Sequence, residues 1–275
     1  MTRFFVKIVA VGFVFIALTA ACSNQDRGAR RMLAEAEAAY EIGNFPLAML
    51  KIDSIRILFP RAFSEINAGI ALRQRVRMAE NVRNTAFADS MLYVKNAIFA
   101  EQRELFDFVR DDELHTIGEY YPRVYPHHAS LNRSGIRAGV TERGAFFIES
   151  VLVGNPVRHN RIRFSLRDGS FVETLPVTDE GFNHRFTTNE GSFEIVRFRG
   201  DDENGVAKFV ETFQNEPITV HFIGNRTVTT TLSRAEIQGI IQSLKFSILM
   251  TDIHRLEFER ERSEVLIRYL ESRMQ

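Results

Sequence analysis

The chain of 275 residues contains one cysteine and no tryptophan. A single cysteine cannot form an internal disulfide, so the stability of the fold must come from packing. Much of the apolar surface available for packing belongs to 24 phenylalanines. The chain also lacks a charge excess, because 35 basic residues balance 35 acidic residues. Proteins that bind nucleic acid usually carry a strong basic excess, so we expect no nucleic-acid partner.

The common sequence motifs of enzyme active sites are also missing. The chain has no GxSxG, GxGxxG, GxxxxGK[ST] or HExxH motif. Seven histidines are present without an accompanying cysteine pattern, at His115, His127, His128, His159, His184, His221 and His254. We therefore expect no enzyme, no cofactor and no metal. Sites of the Ser-His-Asp or paired-carboxylate type remain an alternative, because distant residues can assemble them.

The N-terminal residues have the pattern of a bacterial export signal. Arg3 and Lys7 precede the apolar run Ile8–Leu18, and three small residues stand directly before Cys22. A cysteine in this position resembles the lipobox of bacterial lipoproteins. The resemblance implies cleavage before Cys22, a diacylglycerol on its sulfur, an acyl chain on the new amino terminus and therefore membrane lipid as a partner. A secretory signal cut after Ala21 is the alternative.

An uncleaved membrane anchor is less consistent with the N-terminal pattern, because the apolar run is shorter than the ~20 residues that cross a bilayer. The predicted segments are a signal peptide at residues 1–21 and a lipidated tether at residues 22–28. Without Arg3 and Lys7, the chain carries 33 basic and 35 acidic residues. About 250 residues then remain, which is enough for one large domain or two ordinary ones.

Residues 29–60 are predicted to form a helical hairpin. Ala29–Ile42 is rich in helix formers, Gly43 stops that helix, Asn44 can cap a second helix and Pro60 ends it. The hairpin resembles the second half of a tetratricopeptide repeat, at Gly43, Asn44, Phe45, Ala48, Ile52, Ile55 and Pro60. An ordinary helical hairpin is the alternative. Because one repeat unit cannot bury its own face, we expect the hairpin to pack on the residues that follow it.

Residues 61–110 are predicted to form a long helix. Apolar residues recur there at steps of mostly three, four or seven, and Pro is absent up to about Phe106. This spacing is typical of a helix with one narrow apolar stripe, as in a coiled coil. Two shorter helices with a break between Asn81 and Asn84 are the alternative.

A second long helix is predicted at residues 233–275. Ser233 and Glu236 have the spacing of a capping box, and apolar residues follow at helical steps. We expect the two long helices to pair antiparallel as a coiled-coil-like stalk. If Phe106 and Ser233 lie at the same level, Arg75 and Arg77 fall near the height of Glu264 and Glu261, and at most part of each set can meet. Two solvated charge runs are the alternative to such ion pairs.

Residues 115–232 are predicted to form a mostly antiparallel β-rich head, which gives an α+β fold class. Short β-type runs alternate there with turn signals such as Asp168-Gly169, in which Gly accepts a positive φ. The predicted strands are 136–141, 145–153, 161–166, 170–175, 193–198, 218–223 and 227–232. Residues 206–213 favour one short helix.

The most unusual local cluster is an aromatic strip with prolines, which contains Tyr120, Tyr121 and Tyr125. Aromatic faces can stack on sugar rings or peptides, so these tyrosines are a candidate ligand platform. The alternative is a strand that packs its tyrosines where the head meets the helices, because aromatic residues are often buried.

The mature chain resembles uncharacterised lipoproteins of the Bacteroidota with this order of segments, at Phe108, Val109, Tyr120, Tyr121, Glu142, Arg143, Gly144, His159, Asp168, Gly169 and Glu194. The resemblance implies location and domain order, but no activity. We expect a non-enzymatic, lipid-anchored protein of the cell envelope, in the outer membrane, whose stalk presents the head for binding or scaffolding. The alternatives are an accessory factor of outer-membrane assembly and a glycan-binding or glycan-processing surface protein. The expected partners are envelope proteins or glycans.

Overall fold

The computed structural model describes residues 26–110, 117–125, 133–154, 156–178, 181–189 and 191–274. These residues form five α-helices and ten strands in two antiparallel sheets, which confirms the predicted α+β class. The chain divides into two compact units. The helical unit contains the described residues up to Ser90 and those from Glu257 onward, and the β unit is Met91–Leu256. None of the helices in the described ranges is long and apolar enough to span a bilayer.

The helical unit begins with a hairpin of two helices, α1 at residues 26–41 and α2 at Phe45–Leu58. Gly43 takes a φ of +73° in the turn, a conformation that costs glycine little. The Asn44 side chain then accepts a hydrogen bond from the Leu47 N–H at 3.2 Å and caps α2. The hairpin packs on a third helix through one core cluster: Ala36, Ala39, Phe45, Ala48, Ile52, Leu72 and Val76.

Helix α3 is continuous over Phe63–Arg103, so the alternative of a break between Asn81 and Asn84 is wrong. The Asn81 side chain donates to the Arg77 carbonyl at 2.7 Å, which satisfies its amide without interrupting the helix. The prediction of helix up to residue 110 is also wrong, because residues 106–109 form a strand.

Helix α5 covers Arg234–Met274 and begins with the predicted capping box. The Ser233 N–H donates to Glu236 at 2.7 Å, and the Glu236 N–H donates to the Ser233 hydroxyl at 3.3 Å. The Glu236 carboxylate also accepts from the Ile136 N–H at 2.9 Å. The start of the helix is therefore bonded to a strand of the β unit.

Helices α3 and α5 are antiparallel where they meet within each unit. In the β unit, Lys95 contacts Asp252 at 2.8 Å, and apolar residues pack beside this pair at Leu92, Leu249, Ile253 and Leu256. In the helical unit, Arg260 contacts Asp89 at 3.5 Å.

The predicted neighbourhood of Arg75 and Glu264 is wrong. Arg75 lies 3.9 Å from Glu41 of α1, and Glu264 lies 3.7 Å from Arg260 of its own helix. The prediction placed Phe106 level with Ser233, whereas Phe106 stacks on Phe246, which lies thirteen residues further along the chain than Ser233.

Ten strands form the two sheets, and the residues between them include one short helix. The six-stranded sheet has the order β1 (Phe106–Val109), β2 (Glu119–Pro122), β3 (Gly135–Thr141), β4 (Phe146–Val153), β8 (Gly191–Arg199) and β7 (Asn183–Thr188). The four-stranded sheet has the order β10 (Thr227–Thr231), β9 (Thr219–Ile223), β5 (Arg161–Ser165) and β6 (Phe171–Glu173). Helix α4 is Val206–Thr212.

Six of the predicted strands are present and pair antiparallel as β3–β4, β5–β6 and β9–β10, and β1 and β7 are additional strands. One face of the six-stranded sheet, here called the inner face, packs against the four-stranded sheet, α4 and the start of α5 in the main core. Near β1, the same sheet packs on Phe246 of α5, whose ring stacks on Phe106 with centroids 4.4 Å apart. The opposite, outer face of this sheet carries the candidate site.

Candidate functional site

A groove with a volume of about 610 Å³ lies on the outer face of the six-stranded sheet. This size falls within the usual range for small-molecule sites. The groove is lined by Val109, Ile117, Glu119, Tyr121, Arg137, Thr141, Ala145, Phe146, Phe147, Glu149, Gly181, Phe182, His184, Ile195, Arg197 and Arg199. All of these residues belong to the β unit.

The strand register places three charged side chains in a row across the groove. Arg137 of β3 is directly opposite Glu149 of β4, and Glu149 is directly opposite Arg197 of β8. Directly opposed side chains on one face of an antiparallel pair lie close together, so the two arginines flank the carboxylate. The Arg137 guanidinium donates to one Glu149 oxygen, and Arg197 Nε donates to the other at 2.8 Å.

A second carboxylate, from Glu119 of β2, completes the charge balance of this row. Arg197 Nη2 donates to Glu119 Oε2 at 3.1 Å, and the Tyr121 hydroxyl donates to the same oxygen at 2.8 Å. Two arginines therefore face two glutamates, and the four charges cancel. An arrangement of this kind holds polar groups in fixed positions, because each long side chain is oriented by two or more partners.

The ion pairs keep the Glu149 carboxyl group in the groove ionised. Burial alone would raise the pKa of Glu149, but the positive charges of Arg137 and Arg197 and their hydrogen bonds outweigh it and lower the pKa. Burial raises the pKa of the Tyr121 hydroxyl. Glu149 is therefore an anion and Tyr121 a neutral donor near pH 7. Neither group is poised to exchange a proton with a ligand at that pH.

Two aromatic rings in the groove are covered by guanidinium groups. The Arg197 guanidinium carbon lies 4.1 Å from the centroid of Phe147, and that of Arg199 lies 3.8 Å from the centroid of Phe182. Arg199 is exposed, and no ion pair to it occurs within the described part of the chain. It is thus a cation at the groove that a ligand can approach.

The three tyrosines proposed as a ligand platform lie in different surroundings. Tyr120 packs edge-on against Phe246 of α5, with ring centroids 5.3 Å apart. Tyr121 is buried beneath the groove, where only its hydroxyl joins the charged row. The Tyr125 hydroxyl accepts from the Ala138 N–H at 2.9 Å, and its ring fills the space beside Gly239. The tyrosines therefore do not form a shared exposed surface, and only Tyr121 borders the groove.

A second polar cluster lies on the opposite side of the same sheet, in the core. Consecutive strand residues face opposite sides, so Ser150 points away from the groove that Glu149 lines. The Ser150 hydroxyl lies 2.7 Å from Nε2 of His159, and Nδ1 of that ring lies 2.8 Å from Glu194. Since a carboxylate only accepts, Nδ1 carries the proton, and Nε2 accepts from the serine. This is the hydrogen-bond order of a Ser-His-acid triad.

The triad-like cluster is closed to solvent. Ser150 and His159 are each 0% exposed, and Glu194 is also 0% exposed. None of the three lines the groove. A serine nucleophile must reach the carbonyl carbon of its substrate, so this arrangement offers no route to acyl transfer in the described conformation.

Backbone contacts explain why the buried carboxylate of Glu194 is tolerated. It accepts from the Arg158 N–H at 2.6 Å and from the His159 N–H at 3.2 Å. Burial raises the pKa of Glu194, but the hydrogen bonds from His159 and from these N–H groups outweigh it and lower the pKa. Burial and the positive charge of Arg185 together lower the pKa of His159 more than Glu194 raises it. The cluster is therefore a neutral imidazole beside a carboxylate, and it joins β4, β8 and the segment before β5.

Cys22, the predicted site of lipid attachment, and His115, His127 and His128 lie outside the described residues. Within the described ranges, no group of three or more His, Cys, Asp or Glu side chains is placed to hold a metal ion.

Neither polar cluster was predicted from the sequence. The available signal was a polar residue among the apolar residues of a strand: Glu149 and Ser150 lie inside Phe146–Val153, and Glu194 lies inside Gly191–Arg199. The sequence does not specify which strands are neighbours or in what register, so the partners of these residues were not visible.

No protein-family model, curated protein or solved structure matches this chain.

We predict that Glu149→Gln destabilises the β unit by about 3 kcal/mol at pH 7, because it leaves two arginines without their shared carboxylate in a buried position. Since the folded pKa of Glu149 is lowered, its contribution is full above its unfolded pKa of about 4.3 and is lost as the pH falls further. The difference in free energy of unfolding between the wild type and the variant should therefore become smaller in acid. Urea unfolding at a series of pH values measures this difference.

The matched control for this variant is Glu211→Gln, which removes a carboxylate paired with the exposed Lys208. This change should cost less than about 1 kcal/mol, as for surface ion pairs. If both variants lost the same free energy of unfolding at pH 7, the charged row would not stabilise the fold more than a surface ion pair does.

We also predict that Ser150 does not react with a fluorophosphonate probe in the folded protein, since its hydroxyl is closed to solvent. The measurement is in-gel fluorescence after incubation of the full chain with a labelled probe, with a known serine hydrolase as the positive control. Labelling of the wild type that disappears in Ser150→Ala would show that the cluster opens to a nucleophilic site.

Proposed function

We propose that this protein is a non-enzymatic lipoprotein of the cell envelope, anchored through acylated Cys22, whose β unit binds a partner or ligand in the outer-face groove. The observation that carries the binding proposal is the groove itself. It combines a volume suited to a ligand with a fixed, charge-balanced row of side chains and the accessible cation Arg199. Its carboxylates are held by arginines, which suits recognition better than proton transfer.

The support for anchoring is the order of residues before Cys22: a basic start, an apolar run and three small residues. Two or more acyl chains on the processed cysteine would give stable attachment, because one chain alone binds membranes only weakly. We place the protein in the outer membrane of a bacterium. The stalk role of the long helices remains a prediction.

The groove favours a polar or anionic occupant over a stacked sugar. One face of Phe147 and one face of Phe182 are covered by the guanidinium groups of Arg197 and Arg199, so a sugar ring would have to displace an arginine to stack there. A peptide segment or a carboxylate-bearing ligand would instead add hydrogen bonds to Arg199 and His184 at the groove. An envelope protein is therefore favoured over a glycan.

We predict that Cys22→Ser abolishes incorporation of a clickable fatty acid into the protein in bacterial cells. We also expect it to shift the protein from the membrane to the soluble fraction after a high-salt wash, which screens electrostatic contacts with lipid. The reason is that the serine hydroxyl does not replace the thiol in forming the thioether. The measurements are in-gel fluorescence and fractionation, with Ser23→Ala as the matched control. Fatty-acid labelling that persists in Cys22→Ser would contradict anchoring at this residue.

We predict that a photo-crosslinking amino acid at His184, an exposed position of the groove, captures a specific partner in intact cells. The same amino acid at the exposed Thr229 of the four-stranded sheet is the control and should not capture that partner. Adding Arg199→Glu should reduce the yield of the crosslinked adduct at position 184 about fivefold or more, since a favourable charge contact becomes a repulsive one. Mass spectrometry identifies the adduct. Equal capture from both positions, or none from position 184, would contradict binding in the groove.

A further inference from the structure

One end of the helical unit is formed by the first turn of α1, the last turn of α2 and the first turn of α3. These turns share a small core of Ala29, Ile55 and Ala62. The backbone of Gly28 lies so close to Phe59 that an added Cβ would come within 2.6 Å of its ring. The start of α1 is at this end of the unit.

Three large apolar side chains are exposed at this end. Ile57 and Leu58, in the last turn of α2, are 71% and 56% exposed, and Phe63, the first residue of α3, is 71% exposed. The buried face of α2 is already filled by residues such as Ile52 and Ile55, so these three side chains are additional to the internal core. Clustered exposed apolar residues of this size usually mark a contact surface.

The same end is rich in arginine. Residues 26–32 and 55–66 contain five arginines and two acidic residues, in a chain whose charges balance as a whole. Arg30 pairs with Glu65 at 3.0 Å. Arg27, Arg56 and Arg61 are exposed and take part in no ion pair within the described ranges. Three unpaired cations therefore accompany the three exposed apolar side chains.

The distance to the proposed anchor is short. Four peptide units join Cys22 to Asp26, the first described residue of α1, and such a segment spans at most about 14 Å. Acyl chains on Cys22 would therefore keep this end of the helical unit close to the lipid headgroups, whatever course the intervening residues take.

We propose that this end of the helical unit, defined by Ile57, Leu58, Phe63, Arg27, Arg56 and Arg61 and here called the basic apolar end, binds the surface of an anionic membrane. Arginines would contact lipid phosphates, while the apolar side chains enter the boundary between headgroups and acyl chains. This inference rests on the proposed anchoring for its location in the cell. The surface chemistry itself is a property of residues 26–66 and is present without the acyl chains.

The charge argues for a membrane over a second copy of the chain as the occupant. Two identical copies meeting through this surface would bring six unpaired arginines together, and like charges brought together at an interface disfavour association. An anionic bilayer instead supplies phosphates to all three arginines and an apolar layer to the exposed side chains.

The test uses the full mature chain, residues 22–275, with Cys22→Ser so that no acyl chain attaches. Its partition onto vesicles of 30% phosphatidylglycerol in phosphatidylcholine is compared with that onto pure phosphatidylcholine by co-sedimentation. Each arginine near an anionic surface raises the partition constant about fivefold. The triple change Arg27→Gln, Arg56→Gln and Arg61→Gln should therefore weaken binding to the anionic vesicles about a hundredfold, while binding to the neutral vesicles changes little.

Two further variants separate charge from apolar contact. The matched control changes three exposed arginines of the β unit that have no ion-pair partner in the described ranges: Arg143, Arg167 and Arg234, each to Gln. This control removes the same charge, and its partition constant onto the anionic vesicles should stay within about threefold of the wild-type value. Ile57→Ser with Phe63→Ser should weaken binding to both kinds of vesicle about tenfold, because it removes apolar contact without altering charge. Circular dichroism melting checks that every variant is folded.

The proposal is overturned if the unacylated chain does not prefer the anionic vesicles, or if the control triple variant loses as much binding as the triple variant at the basic apolar end. It is also overturned if analytical ultracentrifugation shows a dimer that Ile57→Ser with Phe63→Ser dissociates while vesicle binding is unchanged. Loss of fatty-acid labelling at Cys22 is measured separately in cells, so failure of the anchoring proposal is distinguishable from failure of this one.

Discussion

The carboxylate of Glu236 is the contact on which the arrangement of the β unit depends. One of its oxygens accepts from both the backbone N–H and the hydroxyl of Ser233, and the other accepts from the Ile136 N–H of β3. The Glu236 carboxylate therefore caps the N-terminus of α5 and also binds it to the sheet. A glutamine could not replace it, because its amide nitrogen would face a donor. Once the start of α5 is fixed, the position of Phe246 against β1 follows from helix geometry.

Local chemistry made much of this fold predictable. The turn at Gly43, the cap at Asn44 and the capping box at Ser233 each depend on residues within four positions of one another, and all three are found in the structure. The helix end at Arg103 was not predictable in this way. No Gly or Pro separates Arg103 from Phe106, and the strand that follows is favoured by pairing with β2 and by burial of Phe106 against α5. Both of these contacts come from distant parts of the chain.

The two polar clusters could be predicted only in part, for the same reason. Alternation along β4 predicts that Glu149 and Ser150 face opposite sides of the sheet, but it does not identify their partners. The partners of Glu149 come from the pairing of β3, β4 and β8, which brings residues up to 48 positions apart into contact. The partner of Ser150, His159, comes from the segment before β5. The groove and the buried cluster are thus two consequences of one strand register. A slip of one residue in β4 would exchange a charge-balanced groove for an unpaired carboxylate in the core.

The cluster of Ser150, His159 and Glu194 has the hydrogen-bond geometry by which serine hydrolases are recognised, yet its serine oxygen is fully enclosed by protein. A template defined by interatomic distances alone would group this chain with hydrolases. Distances report how a histidine is oriented and which tautomer it adopts, and a structural polar cluster needs both as much as a catalytic one does. Solvent access to the hydroxyl oxygen is the additional criterion that separates the two, so such templates gain specificity when they include it.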